Sequence, residues 1–268
     1  MLAEPVVNPW IVRPRPNPRA RLRLFCFPYA GGGASTYRGW PAHLPADIEV
    51  AAVQLPGREE RLREPAFTSA SELCTQLVAV LAPYLDRPFA LFGHSMGGLV
   101  AFELTRRFRT SEGLSPVHLF VSAHCGPRKA YCLPPVTGMP DRELLQLIRR
   151  LGGTRDEVLQ DGDVMRLMLP LLRADLTICE TYKYVAAEPL DCPISAFGGI
   201  FDEVVRRADV LAWAAETRGG FQARMLPGGH FFLDDAKPRL LQAIADDLAA
   251  RGASSTISIS MHGGRLSP

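Results

Sequence analysis

The residues that first suggest chemistry are Gly93-His94-Ser95-Met96-Gly97, a glycine–any–serine–any–glycine run directly after the apolar stretch PFALF. A serine held on a sharp turn between a strand and a helix projects its hydroxyl clear of the backbone. Side chains two residues to either side would collide there, so both positions need glycine. The helix that follows aims its first N–H groups at negative charge developing on a carbonyl oxygen. A serine alcohol is a weak nucleophile, so a base must take its proton and an acid must orient that base. The chain offers His43, His94, His118, His124, His230 and His262. His94 adjoins the serine, but neighbouring side chains diverge around such a turn, and packing is its expected role. Two N–H donors are also needed for the oxyanion. One is the amide of Met96, and the other is expected in the glycine-rich loop Pro28-Tyr29-Ala30-Gly31-Gly32-Gly33. Such loops also cradle phosphates, but the chain has neither G-x-x-x-x-G-K-[ST] nor G-x-G-x-x-G, which argues against a nucleotide.

Placing these groups requires a scaffold, and the hydrophobic pattern supplies one. RLRLFCF (21–27), IEVAAVQ (48–54), PFALFG (88–93), VHLFVSA (117–123), ISAFGG (194–199) and FQARML (221–226) read as strands. Most are near-continuous apolar runs, as expected of strands buried on both faces of a parallel sheet. Helical spacing appears over 71–85, 96–108, 205–216 and 238–250. Strands alternating with helices imply βαβ units and helices on both faces of the sheet. Residues 126–190 break the rhythm. They carry a helix after Pro140-Asp141, with Leu144, Leu145, Leu147, Ile148 and Leu151 on one face and Gly152 as its stop, and a second over about 163–184. A plain crossover does not need about 65 residues, so this segment reads as an inserted helical lid. The expected organisation is therefore an extended Pro- and Arg-rich arm over 1–20, a core built from 21–125 and 191–250, the lid over 126–190, and a polar, disordered tail over 251–268.

Composition narrows the class. The 268 residues carry a formal charge of only +2 and are 47% hydrophobic, which describes an ordinary globular chain and gives no footprint for nucleic acid. The six cysteines show no CxxC and no Cys/His pairing at metal spacing, so neither metal nor cofactor is expected, and buried thiols in a reducing compartment are the simpler reading. The first residues lack the apolar core of a signal peptide, and no apolar run is long enough to span a membrane; a cytoplasmic location is expected.

A G-x-S-x-G at a strand–helix junction of a parallel sheet is the nucleophile elbow of the α/β-hydrolase fold, in which the chain order is serine, acid, histidine. His230, in Leu226-Pro227-Gly228-Gly229-His230, is then the base, since it follows the last strand and His262 lies in the tail. The acid belongs after the preceding strand, where Gly199-Ile200-Phe201-Asp202 supplies Asp202; Glu203 is the nearest rival and Asp191 a distant one. Asp234 and Asp235 are expected to cap the final helix or face solvent.

The segments FCFPYAGGGAS (25–35), LPGRE (55–59), FGHSMGG (92–98), GGT (152–154), LRAD (172–175) and PGGHFFL (227–233) together resemble the type II thioesterases of polyketide and nonribosomal peptide synthesis. They are also similar to the medium-chain thioesterase of animal fatty-acid synthase. The resemblance implies the triad Ser95, Asp202 and His230, with the amides of Ala30 and Met96 as oxyanion donors. Many members of that family carry two acidic residues near the position of Asp202, whereas Phe201 precedes it here. The implied substrate is an acyl group on the phosphopantetheine arm of a carrier protein within a modular synthase, from which stalled or incorrect acyl groups are removed. Other readings kept open are a medium-chain fatty acyl thioesterase or carboxylesterase of the same fold and, remotely, a non-catalytic ligand receptor. Arg13, Arg15, Arg19, Arg21 and Arg23 are candidates for docking an acidic carrier. Met165, Met168, Leu169 and Leu172 are the expected determinants of acyl length.

Overall fold

A computed structural model describes residues 8–129, 132–154 and 156–254. Seven strands form one sheet in the order β1-β3-β2-β4-β5-β6-β7: β1 (Ile11–Val12), β2 (Leu22–Phe27), β3 (Ile48–Val53), β4 (Phe89–His94), β5 (His118–Ser122), β6 (Ile194–Gly199) and β7 (Phe221–Leu226). All neighbours are parallel except β1, which runs antiparallel to β3. Every residue of β2 to β6 is buried, which explains their largely apolar character.

The helices α1 (Ala70–Leu81) and α2 (Met96–Arg107) cover one face of the sheet, around Phe25, Phe27, Leu91, Leu99 and Phe102. The other face packs against α8 (Lys237–Ser254) and short turns around Tyr37 and Trp40. Ser69 caps α1 by accepting the amide of Glu72, which sets its start. Between β5 and β6 lie α3 (Asp141–Leu151), α4 (Asp156–Gln160) and α5 (Gly162–Thr181). These three carry a core of their own, including Leu144, Leu147, Ile148, Met165 and Leu169. Helix α3 ends where Gly152 takes φ +80°, as its position after the last apolar residue predicts. Helix α5 begins under Asp161, whose carboxylate accepts the amides of Asp163 and Val164, and contains Pro170. This is the mostly parallel, helix-flanked arrangement of the α/β-hydrolase fold.

Several local expectations need correction. The arm over 1–20 contributes an edge strand: Ile11 pairs with Val53 and Val12 with Ala52. Residues 1–7 lie outside the described residues. The helical reading of 205–216 resolves into α6 (Arg207–Leu211) followed by a tighter 3₁₀ turn, Ala212–Glu216. A four-residue α7 (Phe232–Asp235) precedes α8. Helix α8 runs through Gly252 to Ser254, so the tail read as starting at 251 is helical over its first four residues; 255–268 lie outside the described residues.

The chain winds from β2 outward to β3 and then returns to place β4 on the opposite side of β2. At such a reversal the loops leaving the two central strands diverge and open a crevice beyond the carboxyl ends of the strands. The Pro28–Gly33 loop leaves β2 there, and Ser95 leaves β4.

Candidate active site

Ser95 takes φ +52° and ψ −120°, a backbone conformation that a residue with a side chain rarely adopts. The flanking glycines permit it. A Cβ on Gly93 would overlap the carbonyl of Gly97, and one on Gly97 would overlap the carbonyl of Phe27. The strand, the turn and the start of the Pro28–Gly33 loop therefore close on one another at backbone distance.

The hydroxyl of Ser95 lies 3.1 Å from Nε2 of His230, and Nδ1 of that ring lies 2.9 Å from Oδ2 of Asp202. With a carboxylate at Nδ1, the ring proton belongs on that nitrogen, which leaves the Nε2 lone pair facing the serine. The other carboxylate oxygen, Oδ1, accepts the amides of Val204 (2.8 Å) and Val205 (3.0 Å). Burial pushes the Asp202 carboxyl up, but the His230 ring and these two amides outweigh it, and the net direction is below the usual carboxylate value. The loops carrying acid and base are joined by their backbones. Ile200 donates to Leu226 at 2.8 Å and Phe201 to Gly228 at 3.0 Å, and a Cβ on Gly199 would overlap the carbonyl of Gly229.

The rivals stand elsewhere. Glu203 is exposed, Asp191 pairs with Arg218 at 2.6 Å, and Asp234 and Asp235 are exposed in the turn of α7. His94 is fully buried, with Nδ1 2.9 Å from the hydroxyl of Ser122 and its ring packed among those of Tyr29, His230, Phe231 and Phe232. Burial, together with repulsion from His230, pushes its pKa down to about 3, so it stays neutral beside the base. His43 is exposed, His124 donates its Nδ1–H to the carbonyl of Cys125 at 2.7 Å, and His262 lies outside the described residues.

A second serine–histidine–aspartate cluster invites comparison. His118 Nε2 lies 2.9 Å from Ser195 Oγ, and that hydroxyl donates to Asp247 at 2.7 Å. Here the carboxylate holds the serine instead of the histidine, and Arg224 neutralises it through two bonds of 2.8 and 2.7 Å. Ser195 has no exposed surface, and the cluster sits where β5 and β6 begin, at the end of the sheet opposite Ser95. It ties strands together and presents no nucleophile.

Ser95 and His230 open into a cavity of about 360 Å³. Tyr29, Ala30, Gly31 and Phe231 form its floor, and the insertion covers it with Leu133, Ile148, Leu151, Val158, Met168, Leu172 and Leu176. Of the four residues expected to set acyl length, Met168 and Leu172 line this cavity, whereas Met165 and Leu169 are buried in the core of the insertion. Met96 is the first residue of α2, where an amide has no helical acceptor. Ala30 borders the cavity beside Ser95. Among the described residues no cluster of three or more His, Cys, Asp or Glu side chains could hold a metal ion.

Three of the five arginines proposed for docking are engaged elsewhere. Arg21 pairs with Asp47, Arg23 is buried against Glu49 and Asp86, and Arg13 reaches Glu49 at 3.5 Å. They flank the start of β2, roughly 17 Å from its catalytic end at about 3.3 Å per residue. One feature was not read from the sequence at all: Arg58 and Asp175, in segments noted only for their resemblance, meet beneath the glycine-rich loop. A carboxylate amid the buried residues Leu171, Leu172, Leu176 and Ile178 of α5 was the available signal.

Known proteins resemble this chain over most of its length. The family model for the thioesterase domain matches residues 22–248. The chain is 42% identical to the gramicidin S biosynthesis protein GrsT of Aneurinibacillus migulanus, over 90% of this chain and 94% of that protein. It is 39% identical to the thioesterase PikA5 of Streptomyces venezuelae, over 91% and 87% of the two chains. Among solved structures it resembles the type II thioesterase BorB from the borrelidin biosynthetic cluster, with a TM-score of 0.82 and 40% identity over 89% of this chain and 97% of that one. An elbow serine opening into a covered apolar cavity and these likenesses lead to one assignment: the chain belongs to the thioesterase family and is a thioester hydrolase.

Proposed function

We propose that this enzyme hydrolyses acyl groups from the phosphopantetheine arm of carrier proteins, clearing stalled or aberrant intermediates from a polyketide or nonribosomal peptide synthase. The observation that carries this reading is the Ser95–His230–Asp202 relay opening into an apolar cavity roofed by a helical insertion. Such a cavity takes an acyl chain and admits no bulky partner, so the substrate must arrive on a thin tether. A second hollow of about 550 Å³ abuts the same wall of Leu133, Leu151, His230 and Phe231, and Arg150 and Glu203 line it. Its lining, more polar than that of the first cavity, suits the amides of such an arm better than an acyl chain. The relatives' names, which include gramicidin S and borrelidin biosynthesis, support a biosynthetic setting.

In this mechanism Ser95 Oγ attacks the thioester carbonyl as His230 Nε2 takes its proton. The tetrahedral oxyanion receives the amides of Ala30 and Met96. His230 then returns the proton to the departing thiol, and the acyl group remains on Ser95. Water, deprotonated by the same nitrogen, releases the free acid. Asp202 keeps the ring in its productive tautomer and stabilises the imidazolium. In the described residues no helix is long and apolar enough to cross a membrane, and none of the six cysteines is in a disulfide; a cytoplasmic location is proposed on the second ground.

The test is Ser95→Ala assayed on acyl-carrier, acyl-CoA and p-nitrophenyl substrates. Release from the carrier is expected to fall by about 10⁶-fold with the fold intact. Near-wild-type release by the variant, or a wild-type preference for oxygen esters, would overturn the reading.

A further inference from the structure

Arg58 and Asp175 are 117 residues apart in the chain and form a two-pronged ion pair, Nη1 to Oδ2 and Nη2 to Oδ1, both at 2.8 Å. Their side chains are only 4% and 1% exposed. Each also holds the glycine-rich loop. Oδ2 of Asp175 accepts the amide of Gly31 at 2.7 Å, and Nη1 of Arg58 donates to the carbonyl of Gly32 at 3.0 Å. The loop is thus pinned at an N–H and at a C=O immediately after Ala30. Gly31 sits at φ +79°, and a Cβ there would lie 2.6 Å from Cδ2 of Leu172. Leu172 is three residues before Asp175 on α5, so one face of that helix supplies both the carboxylate under the loop and a wall of the acyl cavity.

Stability alone explains this pair poorly. Desolvating two charges offsets most of their attraction, and buried ion pairs are commonly replaced by apolar side chains without loss of stability. What apolar side chains cannot do is hold the N–H of Gly31 and the C=O of Gly32 in fixed directions. We infer that Arg58 and Asp175 are positioning residues for the oxyanion loop. They act through Gly31 and Gly32 to aim the Ala30 amide, and they make that alignment depend on α5 being seated over the acyl chain. The inference rests on the reading of Ser95 and Ala30 given above.

The experiment uses the full chain with the double substitution Arg58→Met/Asp175→Leu, which removes both charges at similar volume, and with Arg58→Lys, which keeps the buried charge balanced but loses the fork. Arg58→Met/Asp175→Asn, which retains an acceptor for Gly31 without stranding a buried charge, is the conservative variant. Four quantities are read: Tm, KM and kcat on an acyl-carrier thioester, and Kd for an alkyl trifluoromethyl ketone, which adds Ser95 Oγ to its carbonyl and places an oxyanion in the hole. A misaimed donor is expected to cost about 10- to 100-fold in kcat, somewhat less than the loss of a donor outright. The ketone's affinity should fall by the same factor while KM and Tm change little, and Arg58→Met/Asp175→Asn should recover part of the loss. Wild-type kcat and ketone affinity in the folded Arg58→Met/Asp175→Leu or Arg58→Lys variant would overturn the inference, as would a fall in Tm or a rise in KM with kcat preserved. Fluorophosphonate labelling of the wild-type chain separates the two readings. Absence of labelling at Ser95 removes the catalytic assignment itself, whereas labelling with unaffected variants removes only the role of the pair.

Discussion

At Ser95 the backbone is held at φ +52° by neighbours that have no side chains to give way, so the hydroxyl is presented without any motion of its own. The base proposed for it, His230, is fixed just as firmly. Both oxygens of Asp202 are occupied, one by His230 and one by the amides of Val204 and Val205, so the carboxylate cannot rotate away from the ring. Replacing it by Asn keeps the shape but offers an N–H₂ or a neutral oxygen to Nδ1, and the ring then adopts the wrong tautomer. Asp202→Asn is expected to lower kcat by about 10⁴-fold, with fluorophosphonate labelling of Ser95 slowed in parallel and the circular dichroism spectrum unchanged. Retention of more than a tenth of the activity would mean that another carboxylate serves, and exposed Glu203 would be the one to remove next. The candidate residues were legible here because each lies in a short run whose chemistry is local: glycines around a serine, a glycine and an acid after a strand, glycines before a histidine. The histidine left over was legible too, since the divergence of side chains around the turn sends His94 into the packing and not toward the nucleophile.

At the scale of elements, the insertion between β5 and β6 lines the cavity into which the serine opens. Its helices were legible from their periodicity: in α3 the buried residues Leu144, Leu147 and Ile148 recur at helical spacing. Which of its apolar side chains face the substrate was not, because Met165, Met168, Leu169 and Leu172 share one face of α5 at i, i+3, i+4 and i+7. Met165 and Leu169 close the core of the insertion, whereas Met168 and Leu172 lie at the edge of that face that roofs the cavity. Met168→Trp should therefore place added volume inside the 360 Å³ chamber. Hydrolysis of long acyl groups is expected to fall by about 10-fold or more relative to acetyl, since a methylene that no longer fits is worth roughly 1–3 kcal/mol. A panel of acyl-carrier substrates of increasing length measures the shift, and an unchanged length profile would place the acyl chain elsewhere. The elements missed were short ones. A two-residue β1 and a four-residue α7 are set by neighbours that supply their hydrogen bonds, and neither is long enough to show a period.

For the molecule as a whole, the buried histidines couple stability to pH. Burial, the largest cause in each case, pushes His94 down to about 3 and His124 down to about 4. Both values lie below the ordinary histidine value of about 6.5, so the unfolded chain takes up these protons first. Their contribution is complete above that value and is lost as pH falls from about 6.5 toward 4 and then 3, by about 1 kcal/mol per pH unit for each ring. Asp202, whose folded value is also lowered, adds a loss of the same sign in the carboxylate range. Thermal midpoints should thus decline steadily between pH 6.5 and 4.5; a flat profile would contradict the burial of these rings as neutral species. The amino-acid sequence by itself determined the alternation of elements, the elbow and the three residues that meet at it, because periodicity and turn chemistry act over a few residues. Only the tertiary structure decided that Arg58 meets Asp175, that His118, Ser195 and Asp247 form a strut at the wrong end of the sheet, and that the arm's arginines flank that same end. Those outcomes depend on strand order and on which end of each strand a residue occupies, and no local pattern encodes either.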